Sequence, residues 1–224
     1  MDFLRIIKSI EELLYELITW LVFYPRTMWR IVRDPVAMAR YSDEQQQMPP
    51  ESQYADALSP PLLLMLTVLI AHGIEVGLGD RQQGTSDFAK YVASSEQNML
   101  IMRSVLASTY ALMGATTLMR RRGIPTSRAH LRTPFFSQCY VTAPFQFVFS
   151  IGATLGRVGT DSLKMVGLGL ALASLAWYLA TQAAWFSKRL PVGQGKAWLL
   201  AAWVFLQAAT YVALVNLVVL RVSR

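Results

Sequence analysis

Glu75 and Arg103 are single charged residues set within stretches that are otherwise uncharged and mostly apolar, and His72 stands three positions before the acid. At that spacing His72 and Glu75 share one face of a helix. A carboxylate beside an imidazole can exchange protons near neutral pH, the chemistry of a proton- or ion-responsive site. A carboxylate beside a guanidinium does something different: the pair neutralises itself, and the arginine keeps its proton. Such a pair is an interhelical clamp, and Arg103 makes the clamp the preferred reading. Asn216, in a later apolar stretch, is a fourth polar group that could join them.

Another group is polar without being charged. Ser137, Gln138, Cys139, Thr142, Gln146 and Ser150 crowd one apolar stretch that also contains Pro144. A segment of this kind must be shielded by protein or water. It fits a transporter gating helix, and it also fits a helix of a tightly packed bundle. The remaining group is basic. Arg26, Arg30 and Arg33 recur at helical spacing, and Arg120, Arg121 and Arg122 are consecutive. Near a membrane surface each would attract an anionic lipid headgroup by about 1 kcal/mol.

Positioning these groups requires helices in a bilayer. The 224 residues are 54% hydrophobic and 16% charged, against about 45–50% and about 25% in soluble domains. That balance disfavours disorder and a solvated nucleic-acid binder, so no nucleic-acid partner is expected. A hydrocarbon core of about 30 Å takes roughly 20 residues of helix, and runs of that size occur at 60–79, 98–119, 133–155, 165–186 and 197–220. With a rise of about 1.5 Å per residue, Glu75 lies about 6 Å and Arg103 about 7.5 Å inside the same end of their spans. The prediction is a Glu75–Arg103 ion pair, with His72 one turn below and Asn216 at similar depth.

The first 41 residues are of another kind. Phe3, Ile7, Ile10, Leu14, Leu17 and Leu21 alternate in steps of four and three, while Arg5, Lys8, Glu11, Glu12 and Glu16 occupy other faces. This is the pattern of an amphipathic helix. Its uncharged part, 17–24, is too short to span, and Trp20, Phe23, Tyr24 and Trp29 include rings suited to headgroup depth. Pro25 is expected to break or redirect the helix, and Pro35 to end the piece after it. Residues 42–58, with Gln45-Gln46-Gln47 and Pro49-Pro50, read as a polar linker forming a mobile strap. The expected architecture is all-α and polytopic: a cytoplasmic interfacial amphipathic region over 1–41, a linker over 42–58, and a five-helix transmembrane domain over 59–224.

Lysines and arginines number six before the first span, then two, five, two and three in successive connections, and two after the fifth. Their excess on alternate segments places the N-terminus in the cytoplasm and the C-terminus outside, in a membrane of the bacterial inner-membrane type. Asp2, Glu11, Glu12 and Glu16 argue against a cleavable signal, and neither end carries a lipidation pattern.

Much familiar chemistry is missing. One cysteine, Cys139, and two distant histidines, His72 and His130, leave no thiolate cage and no local metal motif. Gly-rich phosphate loops and nucleophile elbows are lacking too, so no catalytic residue, metal or cofactor is expected. Asp43, Glu44, Glu51 and Asp56 are spread along the linker, where solvation explains them. Ser104, Ser108, Ala111 and Ala115 in the second span, with Gly167/Ala171 and Gly169/Ala173 in the fourth, ask for close helix packing; a homo-oligomer through the fourth span is the lesser option.

Tyr24-Pro-Arg-Thr-Met-Trp-Arg-Ile-Val-Arg-Asp-Pro35 is similar to the amphipathic lead-in of bacterial Yip-domain membrane proteins, and Leu58-Ser-Pro-Pro-Leu-Leu-Leu64 to their proline-bearing start of the first span. Five spans, an aromatic and basic N-terminal region and a short external tail complete the resemblance, while the Asp-Leu-Tyr-Gly-Pro element of eukaryotic members is absent. The resemblance implies five membrane helices acting through partners or lipids, with no reaction and no site residues to carry over. The expected function is a non-enzymatic adaptor or assembly subunit that binds anionic lipids and a membrane-protein partner. The alternative is a small transporter or channel component built around the His72/Glu75/Arg103 cluster.

Overall fold

The computed structural model describes residues 2–79 and 95–221. Arg81, Lys90 and Arg224, which contribute to the charge asymmetry, lie outside the described residues, as do the side chains of Phe3, Arg5 and Arg221. Seven helices follow one another among the described residues: α1 (Asp2–Arg33), α2 (Pro35–Gln45), α3 (Pro60–Gly77), α4 (Glu96–Arg121), α5 (Arg128–Val158), α6 (Asp161–Arg189) and α7 (Gln194–Arg221). The last five are long and apolar enough to cross a membrane, the mark of an integral membrane protein.

Local chemistry sets the ends. Asp34 accepts the Ala37 N–H at 2.9 Å with Pro35 at the first helical position, which starts α2. Ser127 accepts the His130 N–H at 3.3 Å and starts α5 ahead of the apolar run, so that Arg128 and Arg132 are helical. Gly123, at φ +66°, lets the chain leave α4, and the Ile124 N–H closes back on the Met119 carbonyl at 3.0 Å.

Helix α5 is central, buried without interruption over 137–145, and it packs on α3, α4 and α6. Its closest approach is to α6. A Cβ added to Gly152 would lie 2.6 Å from the Gly167 carbonyl oxygen and 2.9 Å from the Ala171 nitrogen. The small residues Gly167 and Ala171 therefore serve packing within the chain, while Gly169 and Ala173 are exposed.

Three expectations at the N-terminal end are corrected. Pro25 does not break α1, which is continuous through it. Proline withholds a hydrogen bond from the carbonyl four residues back, and Leu21 is 76% exposed, where solvent can supply the missing partner. The strap over 42–58 is not mobile but pinned. Helix α2 runs on to Gln45, and Tyr54, at φ +58°, donates its N–H to Gln45 Oε1 at 2.6 Å. The Tyr54 hydroxyl meets Gln46 Nε2 at 2.7 Å and Ser42 Oγ at 3.3 Å. Burial raises this phenol above its usual range, and those two bonds offset part of the rise. Beyond it, Leu58 donates its N–H to Thr27 Oγ1 at 3.2 Å and accepts the Tyr140 hydroxyl at 2.6 Å.

Asp43 is the last correction. It is not a solvated linker acid, because it pairs with Arg189 of α6 and accepts the hydroxyl of Ser137 from α5. The Arg189 guanidinium also lies 4.9 Å over the Trp185 ring. The burial of Ser137 and the intermediate exposure of Asp43 give this pairing a far less solvated setting than a free linker would.

The close approach of α5 and α6 makes a direct test. Gly152→Ala should lower unfolding stability in detergent by about 1–3 kcal/mol despite alanine's better helix propensity, because backbone atoms block the added carbon. Gly169→Ala, where no atom stands within 4 Å, should not. Equal melting of the two variants would contradict the packing described.

Candidate functional site

Glu75 of α3 is 4% exposed and forms an ion pair with Arg103 of α4. Its second oxygen, Oε1, accepts the hydroxyl of Ser150 from α5. One carboxylate therefore joins three helices. His72 Nδ1 lies 3.2 Å from the same guanidinium nitrogen and 3.9 Å from Glu75 Oε2. A guanidinium can only donate, so Nδ1 accepts and the ring proton sits on Nε2. The longer separation is outside hydrogen-bond range. Arg103 thus stands between imidazole and carboxylate, and its ion pair with Glu75 ties α4 to α3.

The clamp forms one wall of a cavity of about 310 Å³ between α3, α4, α5 and α7. Thr67, Tyr110, Gln146, Arg157 and Asn216 contribute the other polar lining groups. Glu75, Arg103, Ser150, Arg157 and Asn216 all lie toward one end of the bundle, opposite the Arg120–Arg122 end. Deeper in, Tyr110 stacks among Phe145, Tyr178 and Phe205, with ring centroids 4.6–6.3 Å apart. Of these rings Tyr110 lines the cavity.

The structure brings some of the sequence-derived residues together and separates others. Gln146 and Asn216 line the cavity, but the Asn216 amide donates to its own helix at Val212, 2.8 Å away, and does not reach the pair. Gln138 lies elsewhere, in a reciprocal amide pair with Gln182 of α6, its Nε2 3.1 Å from Gln182 Oε1. Gly114 makes room for that pair, since a Cβ there would fall 2.6 Å from Gln138 Oε1. Pro144 sits in the buried run of α5, away from the clamp.

Arg157 did not announce itself in the sequence, because it follows the apolar run and looks like a loop residue. It is helical, lines the cavity and donates to Thr154 Oγ1 at 3.2 Å. Its spacing of seven from Ser150, two turns on one face, was the available signal. Ser150 was visible as a polar residue but not as the partner of Glu75.

The basic groups divide as well. Arg30 donates to the Asp56 carbonyl at 3.2 Å and lies 5.2 Å over the Tyr41 ring. Arg122 donates twice to the Arg189 carbonyl, at 2.8 and 3.2 Å, closing the end of α6. Arg26, Arg33, Arg120 and Arg121 are exposed.

Compared with protein-family models, curated proteins and solved structures, the chain matches none.

A double-mutant cycle measures the clamp. Removing one partner of a buried pair leaves an uncompensated charge, which costs about 3–5 kcal/mol. Arg103→Gln alone should therefore lower thermal stability sharply, and adding Glu75→Gln should restore most of the loss. If Arg103→Gln melts with the wild type, the pair does not clamp.

Proposed function

We propose that this chain is a non-enzymatic adaptor or assembly subunit, seated in a bacterial inner-membrane type of bilayer with its N-terminus cytoplasmic and its C-terminus outside. The observation that carries this reading is helix α1. Its base is fixed: Thr27 and Ile31 are fully buried, and the Tyr24 hydroxyl donates to Thr67 of α3 at 3.2 Å. Over 7–18 the same helix is exposed on all faces, with Ile7, Ile10, Leu14, Leu17 and Ile18 each 46–61% exposed. A continuous apolar stripe in that state needs a cover.

The stripe's spacing and charges indicate what covers it. Steps of three and four from Ile7 to Ile31 keep a 3.5-residue period, which suits a facing helix. Helices that bury themselves in a lipid surface carry Lys and Arg on the polar face, whereas over 7–18 Glu11, Glu12 and Glu16 outnumber the one base, Lys8. The arm therefore meets a helical partner protein, and the exposed Arg26, Arg33, Arg120 and Arg121 meet anionic headgroups. This agrees with what the Yip-domain resemblance implies.

A second reading, a small transporter or channel component, draws on the cavity. Its volume falls at the lower end of ligand sites, about 300–1,000 Å³, and it holds Glu75, Arg103 and Gln146. The self-neutralising Glu75–Arg103 pair within it favours the adaptor.

Ile10→Glu combined with Leu14→Glu discriminates between them. Both side chains are exposed, so the melting temperature should stay near that of wild type. Affinity purification from native membranes should lose a protein partner that the wild type retains. Retention of every partner by the variant, or solute flux through purified wild type in liposomes, would overturn the adaptor reading.

A further inference from the structure

A second concavity, of about 670 Å³, lies on the side of the bundle formed by α4, the start of α5 and Tyr211 of α7. Its walls are Val105, Leu112, Met113, Leu131 and Phe135, with hydroxyls among them. Those of Ser108 and Thr109 donate to carbonyls of their own helix, at 2.7 and 3.2 Å, so they leave no polar demand on an occupant. Arg128 and Arg132 stand at one end, both exposed, and no acidic side chain lines the groove among the described residues. The Arg132 guanidinium is held 5.3 Å from the Phe136 ring. Charge is thus confined to the end where the helices meet the membrane surface.

Length completes the description. From Met113 to Ser104 the groove follows nine residues of α4, running from about 9 Å to about 22 Å inside the basic end of the span at the helical rise. A groove that is basic at the interface and apolar along its length, with no acid on its walls among the described residues, has the polarity of an anionic lipid, headgroup at the surface and acyl chain inward.

We propose that this groove holds one phospholipid with an anionic headgroup, its phosphate between Arg128 and Arg132 and an acyl chain along α4. The inference requires that the helices span the membrane and is independent of the adaptor reading.

Delipidated protein in detergent, titrated with phosphatidylglycerol or phosphatidylcholine and observed by native mass spectrometry, tests it. Two arginines contributing about 1 kcal/mol each predict an about 10- to 30-fold preference for phosphatidylglycerol. Arg128→Gln with Arg132→Gln should remove that preference, Ser108→Trp should weaken both lipids, and Lys188→Gln with Lys196→Gln, two exposed bases away from the groove, should leave it intact. Phosphatidylglycerol bearing a diazirine in its acyl chain should label peptides spanning 104–113 of wild type, a readout that needs no variant to fold. Equal retention of the two lipids, displacement by inorganic phosphate, loss of preference only in the 188/196 variant, or labelling confined to other helices would each overturn the proposal.

Discussion

A carboxylate buried among apolar helices must find its partners inside the protein, and this requirement organises both ends of the bundle. At one end Glu75 takes an arginine from α4 and a serine from α5. At the other, Asp43 takes an arginine from α6 and a serine from α5. The two sites use the same chemistry with different helices, and α5 supplies the serine each time. A guanidinium cancels the charge without titrating, and a hydroxyl satisfies the oxygen that remains. Depth and rotation of α2, α3, α4 and α6 are thereby referred to one central helix.

Between the clamps, α5 is held by interactions that carry no net charge. The reciprocal Gln138–Gln182 pair satisfies two amides across α5 and α6, and Gly114 of α4 gives it space. The Gly152–Gly167 contact brings the same two helices to backbone distance. With lipid as apolar as leucine, helix association depends on such close packing and on interhelical hydrogen bonds more than on hydrophobic burial. This is why the most polar span is also the most buried one: its side chains are the adhesive, and lipid-facing positions are left to α6 and α7.

The five spans were legible because run length is a local property and the bilayer fixes its scale. The Glu75–Arg103 contact was legible for a related reason, since depth along two helices can be counted from their ends. What escaped depended on tertiary neighbours. Asp43 looked solvated because Arg189 lies 146 residues away in sequence, and no local pattern connects them. Gln45 and Gln46 of the supposed strap are hydrogen-bond partners of Tyr54, whose left-handed backbone turn was not encoded in any dipeptide read from the chain. Pro25 was overestimated because its cost depends on whether Leu21's carbonyl can reach solvent, a matter of exposure and not of residue type. Arg157 was assigned to a loop because apolar run length marks where hydrophobicity stops, and a helix continues as long as its backbone bonds can be made.

The same reasoning separates the groups that hold the molecule together from those it leaves over. Glu75, Asp43, Gln138, Tyr54, Arg30 and Arg122 all have partners within the chain, so their chemistry is spent on architecture. The apolar stripe of α1 and the groove headed by Arg128 and Arg132 have no such cover among the described residues. They differ in a way that follows from position: the stripe belongs to a helix outside the five spans and carries acids along it, whereas the groove belongs to spanning helices and carries only bases at its rim. An apolar surface beside carboxylates and one beside guanidinium groups cannot be covered equally well by the same anionic membrane, because the lipid that neutralises the second repels the first. The proposed occupants, a protein for the arm and a lipid for the groove, would satisfy both surfaces without placing like charges against each other.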